Sequence, residues 1–280
     1  MGYRIGFDIG STTIKAVVLD ENNQICYKSY ERHKAQVRQK ALDKLVELKK
    51  YTKEPFKFAI SGSGALGLCE QGELPFVQEV FASATGVSKL YPETDCAIEL
   101  GGEDAKILFF QGSVEQRMNS TCAGGTGAFI DQMATLLNMS LEEMNEASLN
   151  YHRLYPIASR CGVFAKTDIQ PLINQGVDKC DLCASIFQAV VDQTITSLAQ
   201  GRKIEGNILF LGGPLYFLSG LRKRFVETLK LSDAQVNCPE TAINFVALGT
   251  SICADQEYTY DELYKALEDL VHAPAKLTES

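Results

Sequence analysis

Two short strand pairs, each turned by glycine, place the strongest constraint on the fold of this chain. Strand-like, β-branched and apolar patterns predict that residues 3–8 pair with 13–20 and that residues 96–100 pair with 105–110. Each pair leads a half of the chain that continues into helical patterns. Two similar halves of this kind predict a duplicated α/β architecture, with two lobes and a cleft between them.

The helical segments divide the remaining sequence between these two lobes. We assign residues 1–92 to the first lobe and residues 93–254 to the second. Long helical patterns are predicted over residues 35–51 and from about residue 178 to 200. A last helix near residues 255–270 is a candidate to pack on the first lobe.

The turn of the first hairpin carries groups that suit phosphate. Glycine permits a turn that other residues resist, and the backbone N–H groups and hydroxyls around such a turn can converge on phosphate oxygens. The residues predicted to contact phosphate here are Gly10, Ser11, Thr12, Thr13 and Lys15. Asp8, at the strand end, is predicted to hold Mg²⁺ mostly through water. Taken alone, this pattern fits a solvated, threonine-rich hairpin equally well.

The second hairpin repeats that layout, which favours the phosphate interpretation. It again gives an acid, a glycine turn, polar residues and a return strand, from Glu99 to Lys106. The residues it adds to the predicted site are Gly101, Gly102 and Lys106 as nucleotide contacts, Asp104 as a second Mg²⁺ residue, and Glu103 and Asp104, with Asp8, as catalytic acids. Two such hairpins suit a triphosphate clamped between lobes.

A third glycine segment completes the predicted nucleotide site. Gly212, Gly213 and Pro214 stand where a predicted strand meets a helix, and paired glycines there permit close approach of a flat ring to the backbone. Each segment alone is a weak signal, but the three in this order indicate ATP or ADP with Mg²⁺. The absence of a Gly-x-x-x-x-Gly-Lys-Ser/Thr motif in the sequence excludes a Walker-type loop.

Two of the nine cysteines lie beside glycines before predicted helices. Cys122 precedes the turn Gly125-Thr126-Gly127, and Cys161 precedes a helical stretch that starts near Val163. Helix N-termini stabilise anions, and glycine N–H groups can donate to sulfur, so both positions suit an anionic iron–sulfur cluster. A cubane needs four thiolates, so two chains would have to share it. Two buried structural cysteines are the alternative.

Charge and hydropathy exclude two classes of partner. The net charge of −8 argues against nucleic acid, because phosphate backbones are bound by clustered Lys and Arg. No uninterrupted apolar run reaches the roughly 20 residues of a membrane helix. We therefore expect no nucleic-acid or membrane partner and a cytoplasmic location, with cysteines that are reduced or bound to metal.

The order of the three glycine segments resembles the ATPase superfamily of actin, heat-shock chaperones and sugar kinases, whose fold is ribonuclease H-like. The segments that begin at Cys122, Cys161 and Leu211 narrow the resemblance to the activators of 2-hydroxyacyl-CoA dehydratases and the related benzoyl-CoA reductase ATPase subunits. The resemblance runs from Gly6 to about Ala254.

The resemblance implies a definite activity. It implies a homodimer with one [4Fe-4S] cluster, ligated by Cys122 and Cys161 of each chain, that uses ATP hydrolysis to send a low-potential electron to a dehydratase or reductase component carrying iron–sulfur clusters. Ferredoxin or flavodoxin is the implied electron donor. In the second hairpin Glu99, Leu100 and Glu103 depart from the family's Asp-Ile-Gly-Gly-Gln-Asp. These changes resemble the branch that serves double-cubane-cluster reductases.

Two alternative functions, and five other residues of metal-binding type, need to be weighed against this hypothesis. A small-molecule kinase of the same fold needs a base over an acceptor pocket, and a nucleotide-dependent, chaperone-like switch needs no cluster. Cys180 and Cys183 have metal-like spacing but no second pair, and His33, His152 and His272 form no recognisable ligand cluster. We expect packing or surface roles for these five residues.

Overall fold

The computed structural model describes residues 2–119, 125–158 and 162–274. The strands of this part of the chain are β1 Arg4–Ile9, β2 Thr13–Leu19, β3 Ile25–Arg32, β4 Phe56–Ser61, β5 Cys96–Leu100, β6 Ala105–Phe109, β7 Glu115–Asn119, β8 Ile208–Leu211, β9 Val236–Asn237 and β10 Gln256–Tyr258. The helices are α1 Val37–Glu47, α2 Leu66–Gly72, α3 Glu79–Leu90, α4 Gly127–Leu137, α5 Leu141–Leu149, α6 Gly162–Asn174, α7 Lys179–Thr194, α8 Gly213–Phe217, α9 Ser219–Leu229, α10 Phe245–Cys253 and α11 Tyr260–His272.

The contacts divide the chain into two compact units. Residues 1–92 and 244–280 form the first unit, and residues 93–243 form the second. The predicted second lobe extends to residue 254, whereas α10 packs on α3 and β1 of the first unit. The rings of Tyr91 and Phe245 lie 6.0 Å apart in that packing. In the same unit α11 packs on α1, and the Arg38 guanidinium donates to the Leu270 carbonyl at 2.8 Å.

The two units repeat one sheet topology. The strand order is β3-β2-β1-β4-β10 in the first unit and β7-β6-β5-β8-β9 in the second. In each, the opening hairpin is antiparallel and its first strand then pairs in parallel with the fourth, β1 with β4 and β5 with β8. The last strand differs, because β10 runs antiparallel to β4 while β9 runs parallel to β8. The predicted duplicated α/β architecture is therefore confirmed.

Each sheet has its own hydrophobic core. The first core includes Phe7 and Phe58, whose rings meet edge to face with centroids 5.1 Å apart. The second gathers β5, β6 and β8 against α4, α7 and α9. Both cores bury the strands that end at the glycine turns, so those turns project from rigid strand ends.

Candidate functional site

The first glycine turn joins β1 to β2 in a closed hairpin. The Gly10 N–H donates to the Thr13 carbonyl at 2.9 Å, which leaves residues 11 and 12 at the tip. The strand register sets Asp8 opposite Lys15, and the Lys15 Nζ lies 2.7 Å from Asp8 Oδ2. Asp8 is buried, so its carboxylate is stabilised by this ion pair at the strand end.

The second glycine turn reproduces the first in register and in charge. The Gly101 N–H donates to the Asp104 carbonyl at 2.8 Å, and Glu99 stands opposite Lys106. The Lys106 Nζ lies 2.8 Å from Asp104 Oδ2 and 3.7 Å from Glu99 Oε1. Glu99 and Lys106 are both buried. Each unit therefore has an acid and a lysine paired across the hairpin beside a glycine turn.

The predicted phosphate contacts differ in how far they reach solvent. Ser11 and Thr12 are exposed at the first tip, as are Gly102 and Glu103 at the second. Thr13 begins β2 and is buried, which leaves Ser11 and Thr12 as the accessible hydroxyls of the first loop. Asp8 belongs to the first unit and Asp104 to the second.

A glycine in the left-handed region follows the fourth strand of each unit. Gly212 has a φ of +88°, and a Cβ there would lie 2.0 Å from the Leu100 carbonyl oxygen. Gly62 has a φ of +102°, and a Cβ there would lie 2.2 Å from the Ile9 carbonyl oxygen. Only glycine fits such a conformation and such a close approach. Gly213 and Pro214 then form the first turn of α8, as the sequence predicts.

Gly62 and Glu99 occupy positions equivalent to those of Gly212 and Asp8 in the other unit, and they were not among the predicted site residues. The signal for Glu99 is in the sequence, because Asp8 to Lys15 and Glu99 to Lys106 share one spacing, with glycine two positions after the acid. The signal for Gly62 is weaker. Ser61-Gly62-Ser63-Gly64 follows a predicted strand as Leu211-Gly212-Gly213-Pro214 does, but only the sheet order shows that the two segments correspond.

The first residues of α4 link several of the predicted nucleotide contacts. The Gly127 N–H donates to the Gly101 carbonyl at 3.0 Å, and the Ala128 N–H donates to the Gly102 carbonyl at 2.8 Å. A Cβ on Gly127 would lie 3.2 Å from both the Gly101 oxygen and Pro214 Cγ. The second turn, the start of α4 and the start of α8 therefore meet at Gly127.

The two predicted cluster ligands, Cys122 and Cys161, lie outside the described residues. The described segment before Cys161 is held by α7. Asp181 Oδ1 accepts the N–H groups of His152 at 2.7 Å and Arg153 at 2.9 Å, and these N–H groups hold the Asp181 pKa below its usual range. Asp168 of α6 accepts the N–H of Ala158 at 2.7 Å, so residues 152–158 are fixed by side chains on both helices.

The described cysteines are free thiols, and most are in apolar surroundings. Burial raises the pKa of the Cys69, Cys96 and Cys183 thiols to about 12. Burial, followed by a hydrogen bond with Asp178, also raises the pKa of Cys180. Within the described ranges no three His, Cys, Asp or Glu side chains gather as a metal-binding group.

One helical stretch in the described part of the chain is long and apolar enough to cross a membrane. It runs over Lys179–Ala199, and 72% of it is buried inside the protein. α7 forms most of this stretch and packs on α5 and α9 in the second core. The apolar side chains of this stretch therefore pack in the core of the second unit.

Comparisons with known proteins agree with this geometry. The activator of lactoyl-CoA dehydratase from Anaerotignum propionicum is 29% identical over 217 residues, which cover 75% of this chain and 83% of the relative. Component A of (R)-2-hydroxyglutaryl-CoA dehydratase from Acidaminococcus fermentans has a similar structure, with a TM-score of 0.79 and 25% identity over 96% of this chain and 100% of that one. The activator of 2-hydroxyisocaproyl-CoA dehydratase from Clostridium difficile, solved with bound ADPNP, gives a TM-score of 0.77 and 25% identity over 99% of this chain and 100% of that one.

The predicted fold class is confirmed by these structures and by a more distant one. A glucokinase of the ROK family from Streptomyces griseus shares the fold, with a TM-score of 0.50 and 16% identity over 90% of this chain and 99% of that one. The predicted family resemblance is confirmed as well, because the sequence model of one ATPase family matches residues 5–254. With that match running from β1 to the end of α10, the chain belongs to the BadF/BadG/BcrA/BcrD ATPase family.

Proposed function

We propose that this ATPase is the iron–sulfur activator of a 2-hydroxyacyl-CoA dehydratase or of a related double-cubane reductase. It hydrolyses ATP and transfers one low-potential electron to that partner. The observation that carries the proposal is the family match over residues 5–254, together with relatives of similar length whose names describe dehydratase activation. The two acid–turn–lysine hairpins support the ATP-dependent part.

The loops at both hairpins bind the phosphates of ATP or ADP in this proposal. Gly10 forms the turn that presents the N–H groups and accessible hydroxyls of Ser11 and Thr12, and Gly101 forms the corresponding turn beside Gly102 in the second unit. Lys15 and Lys106 neutralise the nearby acids and supply positive charge. The adenosine contacts are Gly212, Gly213 and Pro214, and further nucleotide contacts are Gly125, Thr126 and Gly127, at and just before the start of α4.

Asp8 and Asp104 are the proposed Mg²⁺ residues, mostly through water, and Glu103 is the remaining candidate acid. One buried atom fits a hydrated cation beside Asp8. Ser61 is paired with Asp8 in the parallel register, and its buried hydroxyl has no hydrogen-bond partner among the described residues. Paired residues of adjacent strands point to the same face, and a water of the cation would supply the missing partner. When bound, Mg²⁺ neutralises the charge that develops on the phosphates.

Cys122 and Cys161 are the proposed ligands of one [4Fe-4S] cluster per homodimer. Cys69, Cys96 and Cys183 are buried inside the two cores, so a cluster shared between two chains cannot reach them. Four thiolates from two chains satisfy a cubane. When bound, the cluster supplies a carrier for a single low-potential electron.

The proposed setting is a cytoplasmic one, with ferredoxin or flavodoxin as the electron donor and a cluster-bearing dehydratase or reductase component as the acceptor. Nucleic acid and membrane are not partners in this proposal. The kinase alternative has no observation in its favour, because the likeness to a glucokinase at 16% identity concerns the fold alone.

Iron analysis of cysteine variants tests the proposal. After anaerobic purification we expect a brown dimer with about four iron atoms, following the cubane stoichiometry. Cys122→Ala and Cys161→Ala should each lose the iron, while ATP hydrolysis is retained because the phosphate loops come from other segments. Electron transfer to the dehydratase component should be lost in both.

Cys180→Ala and Cys183→Ala are the matched controls, since these residues lie on α7 and should keep the full iron content. A monomer that holds a complete cluster would contradict the proposal. So would a Cys161→Ala protein with normal iron.

A further inference from the structure

His33 is buried and in contact with both ends of the first phosphate loop. It follows β3 directly and is 4% exposed. Its Nε2 lies 3.0 Å from the Gly10 carbonyl oxygen, and its main-chain N–H donates to the Thr12 carbonyl at 3.1 Å. One residue of the β3–α1 connection therefore binds the first and the last of the three residues that join β1 to β2.

The hydrogen bonds of the imidazole fix its tautomer. Nδ1 accepts the N–H of Ala35 at 3.2 Å, so it carries no proton. The proton of a neutral ring is then on Nε2, which donates to the Gly10 carbonyl. Lys34 and Ala35 both have positive φ values, 49° and 61°, so the ring also closes a strained turn of its own connection.

In the second unit, the carbonyl of Gly101 is equivalent to that of Gly10, and it also accepts a hydrogen bond, although from a different kind of donor. The Gly101 carbonyl accepts the N–H of Gly127, the first residue of α4, which follows β7 in the chain. In both units the carbonyl of the turn glycine thus accepts a donor from the segment that follows the third strand. This recurrence indicates that the donor serves the turn and is not a packing accident of one unit.

We propose that His33 is a positioning residue for ATP, which holds the Gly10 turn in its binding conformation. The inference rests on the proposed role of the Gly10–Thr13 loop in phosphate binding. Without the Nε2 donor the turn samples other conformations, and ATP must order it on binding. A lost hydrogen bond of this kind weakens nucleotide binding about tenfold. The chemical step is affected less, because His33 touches the loop and not the reacting atoms.

Two conservative variants separate the two nitrogen atoms. In His33→Asn the amide oxygen takes the place of Nδ1, so the bond from Ala35 is kept and the donor to Gly10 is lost. In His33→Gln the amide nitrogen reaches the place of Nε2, so the donor is kept. The full chain is compared with both variants by ATPase kinetics, by calorimetry with ADP and by thermal unfolding. His272→Asn, at the end of α11, is the control.

The expected result is a rise of about tenfold in the KM for ATP and the Kd for ADP in H33N, with kcat within about twofold. H33Q and H272N should resemble the wild type, and all four proteins should unfold at similar temperatures. Equal ADP affinity in H33N and the wild type would overturn the inference alone, leaving the ATPase intact. A H33N protein that does not fold, or equal losses in H33N and H33Q, would show a structural role. A wild type that binds no nucleotide would overturn the proposed function as well.

Discussion

Lys15 and Lys106 are the residues that give each phosphate loop its charge balance. Lys15 is held by Asp8 across the first hairpin, whereas Lys106 is held by Asp104, two residues before it, with Glu99 farther off across the second hairpin. Such pairs keep a buried ammonium group in place without leaving its charge uncompensated. In the proposed complex with ATP, the triphosphate would add negative charge beside these lysines and leave the acids available to Mg²⁺.

Asp104→Asn is expected to lower ATP turnover about 100-fold while leaving the fold intact. The amide oxygen can still accept from Lys106, so the free energy of unfolding should change little. The negative charge that holds Mg²⁺ is lost, and the Mg²⁺ concentration needed for half-maximal rate should rise. Asp131→Asn, exposed on α4, is the control for removal of an acid. A normal ATPase rate in Asp104→Asn would remove Asp104 from the site.

At the scale of elements, a buried lysine ties α1 to β3. Lys44 is 2% exposed, and its Nζ contacts Glu31 of β3, Glu47 of α1 at 2.6 Å and the Tyr27 hydroxyl at 3.3 Å. Burial by itself lowers the Lys44 pKa, but the hydrogen bonds to Glu31 and Glu47 outweigh it and leave the pKa above its usual value. Because His33 lies between β3 and α1, this contact also fixes the ends of its connection.

Lys44→Met is expected to lower the free energy of unfolding by roughly 1–2 kcal/mol at pH 7, a modest value because both glutamates stay partly solvated. The hydrogen bond from Lys44 lowers the Glu31 pKa, and it outweighs burial to lower that of Glu47. The two glutamates therefore stabilise the folded state fully at pH values above their ordinary pKa of 4.5. This stabilisation is lost as the pH falls through their lowered pKa values. Lys44 stabilises the folded state fully at pH values below its ordinary pKa of 10.5, and this stabilisation is lost as the pH rises through its raised pKa.

Urea denaturation at pH 7 and pH 3 measures this difference. The gap between Lys44→Met and the wild type should narrow at the lower pH. Lys40→Met is the matched control on the same helix, because Lys40 is more exposed and lies 3.5 Å from Glu31. A gap that is independent of pH would mean that packing of the Lys44 stem, and not its charge, stabilises the contact.

At the scale of the whole molecule, the proposed homodimer needs a surface beside its shared cluster. Val163 and Phe164, two and three positions after Cys161, have 69% and 64% of their surface exposed at the start of α6. It is their place beside a proposed cluster ligand, together with their exposure, that makes these two neighbouring side chains the expected interface. A second copy of the chain is the occupant that a shared cluster requires.

Phe164→Asp is expected to halve the mass of the protein in solution and to remove its iron, while ADP binding is kept. A charged side chain in an apolar interface is costly because it must be desolvated. Light scattering after size-exclusion chromatography and iron analysis measure both effects. Phe81→Asp is the control, since Phe81 is 62% exposed on α3 of the other unit. A Phe164→Asp dimer with full iron would place the interface elsewhere.

The sequence predicted the parts of the fold that depend on local pattern. Both hairpins and the glycine after β8 follow from strand patterns and turn chemistry. β7 was missed, because Glu115–Asn119 is polar and alternates between half-buried and exposed positions, which resembles a loop. The role of His33 had no local signal, since its partner Gly10 is 23 residues away in sequence and is reached only through the sheet. Likewise only the packing of α10 on α3 assigns that helix to the first unit.

The main-chain donors of Gly127 and Ala128 have a consequence for how the two halves of this chain could diverge. Backbone N–H groups are present in every residue but proline, and these two donors follow the β7–α4 connection, so side-chain substitutions in that connection leave the Gly101 turn supported. In the first half, residue 33 must keep a side-chain N–H at the place of Nε2 for the same task. The β7–α4 connection is thereby freer to change its side chains than the β3–α1 connection. It is the connection in which the sequence has Cys122.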